Sequence, residues 1–489
     1  MTRVLSALAA TLAAATAWAH GFDERYDLPA PLAYFVAGAA ATVALSFVVV
    51  ALFARRAPDA LGERAAEARS IVLGPLLPAL RLVCRVLALA LFALTLIAAL
   101  RGTGDPLMNL APTLVWIIWW VGLSLAIACC GNFWPALDPW RTLFDAGDAA
   151  ARALGRPQGL CLGWHWPPAL GAWPAVALLL GWSWLEVVYP VAAVPTRLGY
   201  AALTWSAFTL VGMLCFGRAT WQRNADVFAI YFATLGRLGL IAAGKRKNSL
   251  IVRRPGAGLI EEDPNAPPPP AGSAGFIIAM LAIVLFDGLH GGQAWSQSEQ
   301  TLKRLAPQII DVNGYCAGTL GLIAVWLAFF AAYELICAFT AVLTGDRSRA
   351  RIASAFAPTL VPIAAAYNVA HNFSSLLIQG QNLMPLLSDP LGRRWNLFGT
   401  ANWHANIGIV DAQATWYVAI SAIVGGHVVA IWMAHRVALR ECMLPRRAAI
   451  ASIPLTVLMV AYTAISLLVI AEPMVTFEPV PANAPTTRG

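Results

Sequence analysis

Long apolar runs alternate with short polar clusters along the chain from about residue 31 onward. The runs hold about 20 or more residues, which is the length that a helix needs to cross a bilayer. We therefore expect an all-α integral membrane protein, a bundle of about ten transmembrane helices. The predicted spans lie at about 31–54, 79–100, 111–131, 170–190, 197–217, 273–292, 314–343, 354–380, 413–434 and 448–472.

The first 19 residues have the pattern of a secretory signal peptide. They combine Arg3, an apolar stretch and the small-residue triplet that ends at Ala19. The apolar stretch is short for a spanning helix, so an uncleaved anchor is the weaker interpretation. Cleavage would leave residues 20–489 as a single polytopic membrane domain that begins with His20. Its amine and imidazole form a chelating pair for copper, although the cut can also fall there without consequence.

Basic residues predict the orientation. With the mature N-terminus outside, five loops lie in the cytoplasm, and Lys and Arg are concentrated on them. We therefore expect an inner-membrane protein with both termini in the periplasm and a long cytoplasmic loop at about 218–272. The predicted cytoplasmic loops are 55–78, 132–169, 218–272, 344–353 and 435–447.

Composition agrees with a membrane location. Hydrophobic residues make up 59% of the chain and charged residues 12%, whereas soluble domains carry about 25% charged residues. The net charge of +8 follows from the basic cytoplasmic loops, so we expect the lipid bilayer as a partner and no nucleic acid.

Ionisable residues inside the predicted spans are the first functional candidates. Each costs about 2.5–3.5 kcal/mol at the centre of a membrane helix on insertion scales, and such residues usually mark sites. Glu186, Asp287, His290, Glu334 and His427 occupy such positions. Asp287 and His290 are three residues apart, which places them on one helix face.

The eighth span carries a continuous polar stripe. Asn368, His371, Asn372, Ser375 and Gln379 recur at helical spacing. Lipid would not solvate such a face, so we expect it to point into the bundle. Two interpretations stay open, a seam of hydrogen bonds between helices and a functional pocket.

The histidines and the carboxylate suggest a metal site. His371, His427, Asp287 and His290 have the donor types that zinc, copper or a similar divalent ion uses, with an open position for water. No fixed local spacing supports this, and each histidine is equally explained by a hydrogen bond in the core.

Five long motifs together resemble a known family. They are the mature start HGFDERYDLPAP, the loop NFWPALDPWRTLF, the span end FDGLHGG and the helices AYNVAHNFSSLLIQGQ and IVGGHVVAIWMAH. In these motifs the chain resembles the fenitrothion hydrolase family of bacterial membrane proteins. The resemblance implies cleavage of the P–O–aryl bond of organophosphorus triesters and a hydrophobic small-molecule substrate. It carries over no catalytic residue.

We therefore infer the roles of individual residues from what the hydrolysis of a triester requires. Hydrolysis of a triester needs an activated water, which a metal or a side-chain base supplies. We expect His371 and His427 as base or metal ligand and Asp287 as ligand or orienting carboxylate. The substrate-binding candidates are Asn368, Asn372, Ser375, Gln379 and Glu334.

Three other functions fit the same sequence. A transporter or channel would also use a polar stripe, and interrupted helices would favour it. A periplasm-facing metal-handling protein would use His20. The chain could also be one subunit of a larger membrane complex, with its charges at contacts to a partner subunit.

Overall fold

The computed structural model describes residues 28–53, 70–244, 246–261, 267–308, 310, 315–345, 348–442 and 444–474. The predicted signal peptide and the copper interpretation of His20 lie outside these described residues.

The described chain is built almost entirely from helices. In chain order these are α1 Leu32–Phe53, α2 Leu76–Arg101, α3 Leu110–Cys130, α4 Trp134–Leu137, α5 Pro139–Ala153, α6 Trp173–Val188, α7 Pro195–Phe216, α8 Arg218–Asn224, α9 Val227–Gly236, α10 Ala257–Ile260, α11 Ser273–His290, α12 Gln293–Leu305, α13 Tyr315–Thr344, α14 Arg349–Phe356, α15 Val361–Gln379, α16 Leu383–Ser388, α17 Ala412–Glu441 and α18 Pro445–Met474. Short 3₁₀ turns occur at Ala357–Leu360, Gly380–Asn382 and Ile407–Ile409. The π-helical stretches are Thr113–Leu123 in α3 and Trp184–Val188 in α6.

The predicted fold class, an all-α membrane protein, is confirmed. Among the described residues, nine helical segments are long and apolar enough to cross a membrane. Eight of them are single helices, and the ninth, Arg349–Ser388, joins α14, α15 and α16.

The remaining predicted span, at about 170–190, is shorter than expected. Helix α6 is apolar but ends at Val188. Tyr189 already has extended backbone angles, as residues that precede a proline prefer, and Pro190 follows it. The helical part of the fourth apolar run is therefore shorter than the about 20 residues of a usual membrane-spanning helix.

Burial separates central from peripheral helices. In the most apolar window of α11 and of Arg349–Ser388, 67% of the residues are buried inside the protein. The corresponding share is 11% for α1 and 17% for α2, so these helices offer most of their surface to lipid. The two central segments carry Asp287 and the polar stripe.

A glycine brings α17 close to the central segment. A Cβ atom at Gly426 would lie 2.4 Å from the Cβ of Ala366 and 2.9 Å from the carbonyl oxygen of Pro362. Small residues at such positions let membrane helices approach closely. The neighbouring Gly425 faces open space.

A small antiparallel sheet joins two of the predicted cytoplasmic loops. The strand β1 Ser70–Val72 pairs with β3 Ser249–Val252, and β3 pairs with β2 Ile241–Ala243. The segments that precede α2 and follow α9 therefore lie at the same end of the bundle.

The segment 218–272 is more than the connecting loop that its length suggested. It contains α9, whose Phe228, Tyr231 and Phe232 are buried against tryptophans. Ring centroids are 4.7 Å apart for Trp119 and Phe228, and 4.7 Å for Trp120 and Tyr231. The ten residues of α9 are too few to span a bilayer but apolar enough to enter the core.

Candidate functional site

The central feature of the site is a contact between Asp287 on α11 and His371 on α15. The Nε2 atom of His371 lies 2.8 Å from Oδ2 of Asp287. The exposed fraction is 16% for the histidine side chain and 29% for the aspartate side chain. The two predicted catalytic residues on the central helices therefore meet directly.

Local sequence explains how the two helices present this pair. Asp287 lies in the last turn of α11, before Gly291 and Gly292. Gly288 keeps α11 close to α15, because a Cβ atom there would lie 2.8 Å from the hydroxyl of Tyr367 and 3.9 Å from Nδ1 of His371. The absence of a side chain at Gly288 thus lets α11 pack closely against this part of α15.

A second carboxylate lies near the pair. The charge of Asp287 acts on Glu186, which lies in the π-helical last turn of α6. The indole Nε1 of Trp120 donates a hydrogen bond of 3.0 Å to Oε2 of Glu186. Because π-helical turns are often found at functional sites, this geometry adds α3 and α6 to the site.

The polar stripe extends the site along α15. The amide nitrogen of Asn372 donates to the side-chain oxygen of Asn368 over 3.4 Å. The hydroxyl of Tyr231 of α9 lies close enough to the side chain of Asn368 to interact with it electrostatically. Ser375 and Gln379 continue the same face and are half-buried. The stripe therefore lies inside the bundle, as its spacing predicted.

The other two histidines have separate surroundings. His427 is buried, its Nδ1 donates to the carbonyl of Ile423 over 2.8 Å, and its ring lies 5.7 Å from that of Tyr462. The ring of His290 lies 5.5 Å from the ring of Phe286 and 5.5 Å from that of Trp295, and these two rings also contact each other. Both contacts resemble ordinary core packing more than ligation.

Glu334, a predicted substrate contact, lies elsewhere. Glu334 lies about 28 Å along α13 from the first residue of that helix. Asp287 lies at the end of α11, from which the chain leads to the start of α13. The carboxylate of Glu334 is paired with Arg349 at 3.2 Å. Glu334 therefore stabilises the start of α14 at the other end of the bundle.

The predicted metal ligands do not gather into one site in the described part of the chain. There, no group of three or more His, Cys, Asp or Glu side chains is arranged to hold an ion, whereas zinc enzymes commonly use three protein ligands. Of the four predicted ligands, Asp287 and His371 are in direct contact.

The pair can perform general-base chemistry. An Asp that accepts the Nε2 proton of a histidine fixes the tautomer in which Nδ1 carries the lone pair. It also stabilises the imidazolium ion that forms when Nδ1 takes a proton. Glu186, Trp120 and Tyr367 were absent from the predicted site. Glu186 gave the clearest signal, as an acid within an apolar run.

Comparison of the chain with protein-family models, with curated proteins and with solved structures gives no match.

Proposed function

We propose that the protein is a membrane-bound hydrolase of lipophilic organophosphorus triesters, in which His371 is the general base. One observation carries the proposal, the 2.8 Å contact between His371 and Asp287 on the two central helices. The motif resemblance supplies the substrate class, and the pair supplies the means to activate water.

The reaction begins with a water molecule beside the imidazole. Nδ1 of His371 takes a proton from the water while the water oxygen attacks phosphorus. The P–O–aryl bond breaks, and the electron pair leaves with the aryl oxygen as nitrophenolate. General-base assistance of this kind contributes about 10²–10⁴-fold to a rate. The proton on His371 then passes to solvent and restores the base.

Polar groups near the pair can hold the phosphoryl sulfur or oxygen. The hydroxyl of Tyr367 is buried, and among the described residues it has no hydrogen-bond partner. It therefore has a donor to offer to a substrate. The amide groups of Asn368 and Asn372 lie on the same helix face as His371. Donors of this kind stabilise charge that develops on the substrate in the transition state.

The location of the site favours a lipophilic substrate. Asp287, Glu186 and His371 lie on helices whose surroundings are apolar. A neutral triester partitions into the bilayer and can reach such a site laterally, while the product nitrophenolate is charged and leaves toward water. We also propose that the protein lies in the inner membrane and that the site is on its periplasmic side.

The test uses the full chain in isolated membranes with fenitrothion, and follows nitrophenol release by absorbance. Wild-type membranes should release nitrophenol, and His371→Ala should reduce the rate by about 10²-fold or more. His404→Ala is the matched control, because His404 is an exposed histidine outside the site, and it should keep the wild-type rate. Equal release from wild-type and empty membranes at equal expression would contradict the proposal. A chelator arm tests the metal interpretation.

A second candidate function is proton-coupled transport. The observation in its favour is that two carboxylates on different helices, Glu186 and Asp287, interact electrostatically and that Asp287 contacts His371, as in proton relays of transporters. The π-helical end of α6 is also an interruption of the kind that transporters use. Proton uptake into vesicles that requires Glu186, without any nitrophenol release, would favour this candidate over the hydrolase.

A further inference from the structure

Three arginines from three helices converge on one carboxylate, far from the pair described above. Asp145 of α5 accepts from Nε of Arg218 at 2.9 Å and lies 3.3 Å from a terminal nitrogen of Arg85. Nε of Arg141 is 3.9 Å away from the same carboxylate. We call these four residues the arginine cluster. Their charges sum to an excess of two positive charges.

Two hydrogen-bond donors of the arginine cluster lack an acceptor in the described part of the chain. Nε of Arg85 and Nε of Arg141 are buried, and neither has a hydrogen-bond partner within the described ranges. The 3.9 Å separation between Arg141 and Asp145 is too long for a hydrogen bond. Buried donors are nearly always satisfied, so two unsatisfied guanidinium nitrogens at one place point to an acceptor that binds there.

The excess positive charge of the arginine cluster also favours the binding of an anion. Burial lowers the pKa of Arg141, and repulsion from Arg218 and Arg85 lowers it further. Asp138 at the start of α5 lies near Arg141, but burial raises the pKa of its carboxyl to about 6. Even when it is ionised, the group keeps an excess of one positive charge.

The cluster lies at a membrane boundary. Arg85 is in the first part of α2, Arg218 follows the end of α7 directly, and α5 is a surface helix outside the spans. Side chains of Arg85, Arg141 and Arg218 are 26–29% exposed. This is the end of the bundle that carries the β-sheet, predicted to face the cytoplasm, where basic pockets between helices bind lipid head groups.

Apolar surface adjoins the charges. Leu82 lies one helical turn before Arg85 on α2, on the same side of the helix, and is 63% exposed. A ligand with a phosphate next to hydrocarbon would satisfy both halves of this surface. Arginine is the residue that binds phosphate oxygens in a forked, bidentate way.

We propose that the arginine cluster binds the phosphate of an anionic phospholipid, with an acyl chain along Leu82 of α2. The site is independent of the proposed hydrolase centre. Free inorganic phosphate has the same head-group chemistry and is the other source that an experiment must separate.

The experiment uses the purified full chain in a neutral detergent. Phosphatidylglycerol or phosphatidylcholine is titrated in as mixed micelles, and bound lipid is counted by native mass spectrometry. Wild-type protein should retain phosphatidylglycerol and not phosphatidylcholine. Arg218→Gln should weaken retention by about tenfold, as expected for one charge-assisted contact. Arg152→Gln is the matched control, because Arg152 lies on α5 but pairs with Asp148, and it should behave as wild type.

A second variant, Asp145→Asn, distinguishes a specific loss of lipid binding in Arg218→Gln from a loss caused by misfolding. It removes the internal competitor for the guanidinium groups, so it should bind phosphatidylglycerol more tightly than wild type. Equal retention by wild type and Arg218→Gln, or loss with Asp145→Asn, would overturn the site. If millimolar inorganic phosphate displaces the lipid and stabilises the protein equally well alone, the ligand is free phosphate and the lipid proposal is wrong.

Discussion

Acids in two regions of the protein are stabilised in different ways. Asp138 and Asp226 each begin a helix and accept a hydrogen bond from a backbone N–H three residues later. Asp287 is instead paired with His371, a side chain on another central helix. The first two acids are held by their own helix ends, whereas Asp287 depends on the packing of α11 against α15.

The difference separates structural acids from chemical ones. A capping carboxylate stabilises a local helix end and has an orphan backbone donor as its partner. A carboxylate paired with an imidazole can change the behaviour of a titratable group. Acids of the first kind should affect stability when they are replaced, and acids of the second kind should affect activity. The following substitutions test that division.

The largest effect is expected for Asp287→Asn. The amide keeps the shape of the carboxylate but cannot stabilise a positive imidazole, so His371 loses its function as a base. We expect nitrophenol release to fall by about 10²-fold or more, while the amount of folded protein stays near wild type. The measurement compares initial rates in membranes at matched expression. A wild-type rate would place Asp287 among the structural acids.

Gly426→Ala should have the next largest effect, because the site depends on close packing around α15. The new methyl group would meet the Cβ of Ala366 at 2.4 Å, and overpacking of this kind costs about 1–3 kcal/mol. Gly425→Ala has open space and should cost little. Unfolding by denaturant in mixed micelles gives both values, and equal values would contradict the packing described for α17.

Asp138→Ala should destabilise the protein by about 1–2 kcal/mol. It removes the cap of α5 and the 2.7 Å acceptor of the Gln222 amide. Asp138→Asn keeps a capping oxygen and should cost less. The same unfolding assay measures both, and nitrophenol release per folded molecule should not change. A fall in that rate would show that the capping acid takes part in the chemistry.

Asp226→Asn should have the smallest effect near pH 4 and should stabilise the protein increasingly as the pH rises above it. Burial, followed by the charge of Asp138, raises the pKa of Asp226 to about 8. The folded state therefore holds a proton that the unfolded chain releases, so stability falls as pH rises from about 4 to about 8. Asparagine has no such proton. Near pH 4 we expect a difference under about 1 kcal/mol, because asparagine also caps well.

The check is the unfolding midpoint of both proteins across pH 5–9. The wild type should lose stability along this range more steeply than Asp226→Asn. Parallel curves would mean that Asp226 is ionised in the folded protein throughout.

The sequence predicts the helical parts of this molecule because their signals are local. Length and hydropathy are enough for spans such as α11 and α17, and the spacing of Asn368, His371 and Asn372 is enough for the polar face of α15. The short α9 was missed, because ten apolar residues are ambiguous between a loop, a strand and a buried helix.

The residues that form the site are harder to predict from the sequence, because their partners come from distant parts of the chain. Glu334 and Asp287 look alike in sequence, as single acids in apolar runs. Packing alone decides that Glu334 pairs with Arg349 and that Asp287 pairs with His371. Glu186 joins the site for the same reason, because α6 ends beside α11.

The most direct test of the central claim is a double-mutant cycle on Asp287 and His371. Rates of nitrophenol release are measured for His371→Ala, for Asp287→Ala and for the double variant, all in membranes at equal expression. If Asp287 acts through His371, the double variant should be no slower than His371→Ala, because residues that act as a unit are not additive. Multiplied losses in the double variant, or full activity in either single variant, would contradict a functional Asp287–His371 pair.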